Sequence, residues 1–278
     1  MKTLKVVSPA KLNLYLEVLN KRPDGYHNLH TLFERIDLAD EIIFEDAGKD
    51  IITIRSDSRE IPCNKDNLAY KAACLLKQEL SLHKGVGIYI KKRIPVGAGL
   101  GGGSSNAASV LLGLNQLWKL GLSRKRLFEY AAKLGSDVAF FIARVSFAWG
   151  SSRGEKIKPA HCKRKLWHIL LVPKVKVSTK EIYEKLDRFG WKNSPTIEIS
   201  TATIPKILFN RLEETTFRYY PKVKQLKEAL AAKGLKKVLM SGSGGSVFAI
   251  VASRKEGLTI AKGFQHVKGV KVFVVKTR

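Results

Sequence analysis

The sequence predicts an α+β protein of about two domains, and three observations carry that prediction. Strand-like patterns come first and helical ones later, without regular βαβ alternation. At 278 residues the chain is longer than one typical domain. A glycine-dense segment, residues 95–106, leads straight from an extended pattern into a helical one.

Near the start, Leu12, Leu14, Leu16 and Val18 alternate with Asn13, Tyr15 and Glu17, which predicts a strand with one face in a core and the other toward a site or solvent. Lys11 and Asn13 share the second face, where a lysine is either a surface residue or a functional one. Pro23-Asp24-Gly25 is a turn signal: a fixed φ, a side-chain acceptor, then a residue tolerant of positive φ. Tyr26 and His27 follow it, placed either to meet a planar ligand or to pack over the hairpin. Strand patterns continue around Ile36, Ile42, Phe44, Ile52 and Ile54. Asn67 can cap a helix carrying Leu68, Ala72, Leu75, Leu76 and Leu80.

Val86, Ile88, Ile90 and Ile94 then mark an extended run into Pro95-Val96-Gly97-Ala98-Gly99-Leu100-Gly101-Gly102-Gly103-Ser104-Ser105-Asn106, and residues 107–118 read as helix. Five glycines in residues 97–103 allow positive φ angles and open the backbone N–H groups to a ligand. A helix beginning near Ser104 adds unpaired N–H groups, and Ser104 and Ser105 add hydroxyls, so an anion fits here. Gly97, Gly99 and Gly102 satisfy a bare G-x-G-x-x-G, but no acidic residue stands about 20 positions on to hold a ribose. The Lys-Ser/Thr ending of a P-loop is also missing. A plain linker is disfavoured, because linkers rarely run from strand to helix with serines at the helix start.

Ser123 can cap a second helix with Leu127, Tyr130, Ala131 and Leu134 inward. Gly135-Ser136-Asp137 then opens a very apolar stretch, so Asp137 is either the N-cap of a short buried helix or a partly enclosed site carboxylate. Strand patterns at 146–149 and 167–172 follow. Ser178 to Glu181 is a capping box that puts Tyr183 in the first turns of a helix, and residues 188–204 look irregular. Pro221 and Gly234 frame a helix with Val223, Leu226, Leu230 and Ala231 inward. A second glycine-serine turn, Ser241-Gly242-Ser243-Gly244-Gly245-Ser246, links two apolar strands and is either a hairpin or a close approach to a ligand. Ser253 and Glu256 make another capping box, and Val270, Val272 and Val274 a last strand.

The net charge is +26, distributed as 22 basic and 15 acidic residues in 1–150 against 28 and 9 in 151–278. Such a chain attracts phosphorylated metabolites and polyanions. The basic residues are scattered among helix and strand patterns and form no arm, so nucleic acid is not the expected partner. Cys63, Cys74 and Cys162 show no metal spacing and read as reduced thiols, and no stretch approaches about 18 apolar residues. A cytoplasmic protein without membrane insertion is expected.

Together, the segments Ser8-Pro9-Ala10-Lys11-Leu12-Asn13-Leu14, Arg22 to His27, Pro95 to Ala107, Gly135-Ser136-Asp137 with Phe140-Phe141, and Ser241 to Gly244 resemble the superfamily of galactokinase, homoserine kinase, mevalonate kinase and phosphomevalonate kinase. The match spans nearly the whole chain. The long glycine loop and the Pro-Asp-Gly-Tyr-His run point, within it, to the branch whose acceptor is a methylerythritol carried on CDP. The resemblance implies an N-terminal ATP-binding domain over 1–165 like domain 2 of ribosomal protein S5, and a C-terminal ferredoxin-like α/β sandwich over 166–278. It implies ATP with Mg²⁺ as donor, with Pro95, Gly97, Gly99, Leu100, Gly101, Gly102, Gly103, Ser104 and Ser105 around its phosphates. Asp137 and Lys11 would be catalytic, and Asn13, Tyr26, His27, Tyr183, Gly242, Ser243 and Gly244 would meet the acceptor. Protein ligands for Mg²⁺ stay open, with Ser105 one candidate. A monomer or weak homodimer is expected. Ala139 departs from the family's proline after Asp-Val, which should loosen the turn without removing the carboxylate.

Overall fold

A computed structural model describes residues 3–48, 50–162, 164–191 and 208–278. The chain opens with two long antiparallel strands, β1 (Thr3–Lys21) and β2 (His27–Asp46), joined by the expected turn. Asp24 Oδ1 accepts from the Tyr26 N–H at 3.1 Å and Gly25 takes φ +82°. His27 is thus the first residue of a strand, and its ring has a fixed base. β3 (Ile52–Ser56) and β4 (Val86–Lys91) extend this sheet beyond β2, while β5 (Phe147–Ser152) and β6 (Lys156–Pro159) continue from β2's other stretch.

Helices α1 (Leu68–Glu79), α2 (Gly102–Leu117), α3 (Arg124–Leu134) and α4 (Val138–Ala143) cover one face of the sheet. Asn67 and Ser123 cap α1 and α3 as their side chains predict, accepting from Ala69 N and Arg126 N. Phe33, Phe44, Ile88, Leu111, Tyr130 and Phe140 fill that helix-to-sheet core.

The second sheet consists of β7 (Trp167–Pro173), β9 (Val238–Met240), β10 (Val247–Val251) and β11 (Val270–Lys276), in the order β11-β7-β10-β9 and all antiparallel. Numbered along the chain, its strands lie 4-1-3-2, the ferredoxin-like arrangement. Between β7 and β9 come α5 (Thr179–Phe189), β8 (Phe209–Asn210), α6 (Leu212–Tyr219) and α7 (Pro221–Ala231); α8 (Arg254–Lys262) precedes β11. One face of this sheet, with Ile169, Leu171, Val247 and Ala249, packs on α5 to α8. The other, with Leu170, Val172, Phe248 and Val275, packs on Leu12, Leu14, Leu32 and Ile36 of the first sheet. The layers therefore run helix, sheet, sheet, helix.

This arrangement corrects several expectations. The alternation of β1 breaks after Asn13: Tyr15 packs with Leu12 and Leu14 in the core between the sheets and Glu17 is buried beside Arg211, while Lys11 and Asn13 line a cavity. Register shifts at Pro9/Lys11 and Asn13/Tyr15 re-aim the strand's side chains in between. Helix α2 begins at Gly102, two residues before Ser104, with Gly101 in the left-handed conformation at its N-cap. β6, β8 and α6 were not expected; the strands are short and α6 carries paired threonines. β8, though late in the chain, pairs in parallel with β1 in the first sheet. Of the stretch expected to be irregular, 188–189 lie in α5 and 192–204 lie outside the described residues. Among the described residues no helix is long and apolar enough to cross a membrane, and the three cysteines are unpaired.

Candidate active site

Lys11 leaves β1 beside the glycine loop, and its backbone N–H donates to Leu100 O at 3.0 Å, so strand and loop are tied at this residue. Its ammonium is buried, donates to Asn13 Oδ1 at 2.5 Å and lies 3.6 Å from Asp137 Oδ2. Asn13 in turn donates to Thr31 Oγ1 at 2.8 Å, whose hydroxyl donates to Tyr15 O, while the Phe33 ring lies 5.8 Å from Nζ. On the Asn13 side the lysine is held by a chain of hydrogen bonds that runs back to the strand. Burial lowers its pKa from the usual lysine range; the charge and hydrogen bond of Asp137 oppose that shift only in part.

Asp137 stands at the N-cap of α4, yet its side chain makes no capping bond and is 33% exposed. The carboxylate is therefore not spent on the helix end. Ala139 is buried in the first turn of α4, and the helix forms without proline there.

The glycine loop and the second glycine-serine turn interlock. Ser246 N and Oγ both donate to Ala98 O, and Ser241 Oγ donates to Gly99 O. A Cβ on Gly99 would stand 2.2 Å from Ser241 O, and one on Gly242 would stand 3.2 Å from Lys11 Nζ; both residues also have positive φ. Gly99 is required by contact as well as by conformation, whereas Gly242 is required chiefly by its conformation. The loop's stem is pinned by buried Asp40, whose Oδ1 accepts from Arg93 N and Ile94 N, and whose Oδ2 accepts from Lys92 Nζ.

Two adjoining cavities result. The first, of 410 Å³, is lined by Pro95, Gly97, Gly99, Leu100, Gly101, Gly102, Gly103 and Ser104 together with Lys11, Asn13, Gly242 and Ser243. The N–H groups of Gly102, Gly103 and Ser104 precede the first hydrogen bond of α2, from Ser105 N to Gly101 O, and are available to an anion. The second, of 770 Å³, is lined by Tyr26, His27, Lys21 and Asp187. Leu29, Ser104, Asp137, Arg153, Thr179 and Tyr183 line both, so Asp137 stands where the two meet.

Two expected site residues fall outside these cavities. Ser105 is fully buried, with its hydroxyl accepting from Ser8 at 2.8 Å, because the earlier start of α2 turns it toward β1; it is not placed to touch a metal or a phosphate. Gly244 packs against Thr216 and Met240, and reaches the loop only through its carbonyl near Gly99.

Tyr26 is exposed, with the Arg153 guanidinium 5.0 Å from its ring. His27 is buried and stacks on Tyr183, centroids 4.9 Å apart and planes 28° from parallel. Burial, with the nearby charge of Asp137, pushes the Tyr183 phenol up, so it stays neutral. Sequence reasoning missed Asp187, Arg153 and residues 61, 62 and 66–68, which line the first cavity beside the loop. For Asp187 a signal existed: it lies four residues after Tyr183 on a helix whose start the capping box had placed.

Family models named GHMP kinases N terminal domain and GHMP kinases C terminal match residues 67–144 and 197–266. A curated protein of Geobacillus thermodenitrificans, 4-diphosphocytidyl-2-C-methyl-D-erythritol kinase, is 45% identical over 257 residues, covering 89% of this chain and 88% of that one. The chain belongs to the GHMP kinase family. As a GHMP kinase it is an ATP-dependent small-molecule kinase. A relative of the same name from Enterococcus faecalis is 39% identical and covers 97% of both chains. Among solved structures, a 4-(cytidine 5'-diphospho)-2C-methyl-D-erythritol kinase superposes with TM-score 0.82 at 33% identity, covering 99% of this GHMP kinase and 100% of that chain. The homoserine kinase of Cytophaga hutchinsonii, at TM-score 0.72 and 19% identity over 100% of this chain and 96% of that one, shares the fold.

Proposed function

We propose that this chain transfers the γ-phosphoryl group of ATP to the 2-hydroxyl of 4-diphosphocytidyl-2-C-methyl-D-erythritol, a step of isoprenoid precursor synthesis. The relatives' names supply the acceptor. The observation that carries the mechanism is the meeting of two cavities at Asp137, 3.6 Å from a buried ammonium.

In this reading ATP takes the first cavity, its phosphates on the N–H groups of Gly102, Gly103 and Ser104 and its adenosine toward residues 61–68. The acceptor takes the second, its base among Tyr26, His27 and Tyr183, and its hydroxyl at Asp137. The carboxylate accepts the hydroxyl proton as the oxygen attacks phosphorus, and Lys11 stabilises charge at the reacting oxygens and keeps the carboxylate aimed. Gly242 and Ser243 line the first cavity beside Lys11, where the acceptor's reacting end would approach the phosphates. Mg²⁺ supplies neutralisation of phosphate charge in such transfers. Among the described residues no group of three or more His, Cys, Asp or Glu is placed to hold a metal; the ion would ride on the triphosphate, and Asp137 and Ser104, which line the first cavity, would add oxygens from the chain. The division at 165/166, a cytoplasmic location and a monomeric or weakly dimeric state belong to the same proposal.

The test is a panel of acceptors with labelled ATP. Label entering the CDP-linked alcohol and not mevalonate, homoserine or galactose supports the reading; label entering mevalonate but not the CDP-linked alcohol overturns it.

A further inference from the structure

The acceptor side of the site contains a carboxylate that the transfer chemistry does not use. Asp187, on α5, faces His27 with Oδ1 at 2.6 Å from Nε2, and its Oδ2 accepts from Lys21 Nζ at 2.6 Å. Burial raises the Asp187 pKa, but the hydrogen bonds and charges of Lys21 and His27 more than offset this, leaving the carboxyl below its usual range. It is ionised at neutral pH, and an ionised carboxylate only accepts hydrogen bonds. Nε2 must therefore carry the proton. A neutral imidazole with its hydrogen on Nε2 has a lone pair on Nδ1.

The ring cannot turn to change this. His27 is 6% exposed, Tyr183 stacks on it, and Trp191 lies 5.6 Å from it at 58°, itself fixed by a 2.7 Å bond from its Nε1 to Val18 O. Among the described residues Nδ1 has no hydrogen-bond partner, and His27 lines the 770 Å³ cavity.

We propose that Asp187 is a positioning residue that fixes His27 in the Nε2–H tautomer, so that the cavity selects a pyrimidine bearing an exocyclic amine. This rests on the acceptor reading given above. Cytosine presents an N–H donor at position 4, which an Nδ1 acceptor pairs with. Uracil presents an oxygen there, and two acceptors would face each other in a confined site. A site built to meet a hydrogen-bonding group discriminates strongly against an analogue that cannot pair.

The test combines kinetics with ¹⁵N NMR of the His27 ring. The wild-type protein should show the Nε2–H tautomer without any substrate, and should prefer the CDP-linked over the UDP-linked alcohol by about 10²-fold or more in kcat/KM. Asp187→Asn, which can donate as well as accept, should give a mixed tautomer population and raise KM for the CDP-linked alcohol about tenfold. It should leave kcat within about twofold and the KM for ATP unchanged, and narrow the base preference. Asp187→Glu should restore both the tautomer and the preference. A wild-type ring protonated on both nitrogens, or an Asp187→Asn protein with unaltered tautomer and preference, overturns the proposal. If the wild-type protein phosphorylates neither alcohol, the acceptor reading fails instead, while the ring spectrum still decides what Asp187 does to His27.

Discussion

Lys11 has to be charged to do its work, yet it sits where burial disfavours its charge. A lysine whose folded-state pKa is lowered loses its proton at a lower pH than a free one, so the stabilisation it gives the transferring phosphoryl group is lost as pH rises through a range below that of a free lysine. The expected outcome is an alkaline limb in kcat below about pH 10, the free-lysine range; a kcat flat to that pH would remove Lys11 from the transfer step. For His27, replacement by alanine should raise KM for the CDP-linked alcohol by about tenfold or more while KM for ATP moves little, because only base recognition is lost. Equal changes in both would contradict the placement of the base. At this scale the sequence was legible where neighbours in the chain share a face: Lys11 with Asn13 follows from strand alternation. The partners of His27 were not, since Asp187 lies 160 positions away and only folding brings it to the ring. Ser105 was misjudged because a helix starting two residues earlier rotates each side chain by about 200°.

The two glycine loops act as one element. Each supplies backbone that the other needs at van der Waals distance or closer, and side chains are excluded at Gly99 by the carbonyls of Ser241 and Gly244. Gly99→Ala should therefore destabilise the protein by about 2 kcal/mol or more, from positive-φ strain together with the collision, and should weaken ATP binding. Urea unfolding and ATP titration would measure this; a variant of unchanged midpoint and affinity would show that the loops can separate freely. The capping boxes, the Pro-Asp-Gly turn and the strand-to-helix character of the first loop were all readable, because each depends on a few adjacent residues. That the second loop locks the first was not, for a glycine needed by a distant backbone looks the same in sequence as one needed by a hairpin.

Across the whole molecule, the late return of the chain to the first sheet is held by more than apolar packing. Buried Glu17 on β1 receives a two-point interaction from Arg211, at 2.7 and 2.8 Å, just after β8 crosses back to the first sheet. Arg211→Ala would leave the carboxylate buried without that partner and should cost about 3 kcal/mol, seen as a lowered unfolding midpoint. An unchanged midpoint would show that water reaches Glu17. Length predicted a chain of about two domains, but β8, only two residues long, carries no periodicity by which the return crossing could be read. The consequence for function is that residues from both halves converge on Asp137: Lys11 and the glycine loop from one side, Thr179, Tyr183 and Gly242 from the other. The most direct measurement is single-turnover transfer from labelled ATP to the CDP-linked alcohol, with both saturating, in wild type and Asp137→Asn. Binding of both substrates should survive the substitution while the transfer rate falls about 10²-fold or more; a variant that binds both and transfers at the wild-type rate would contradict the account.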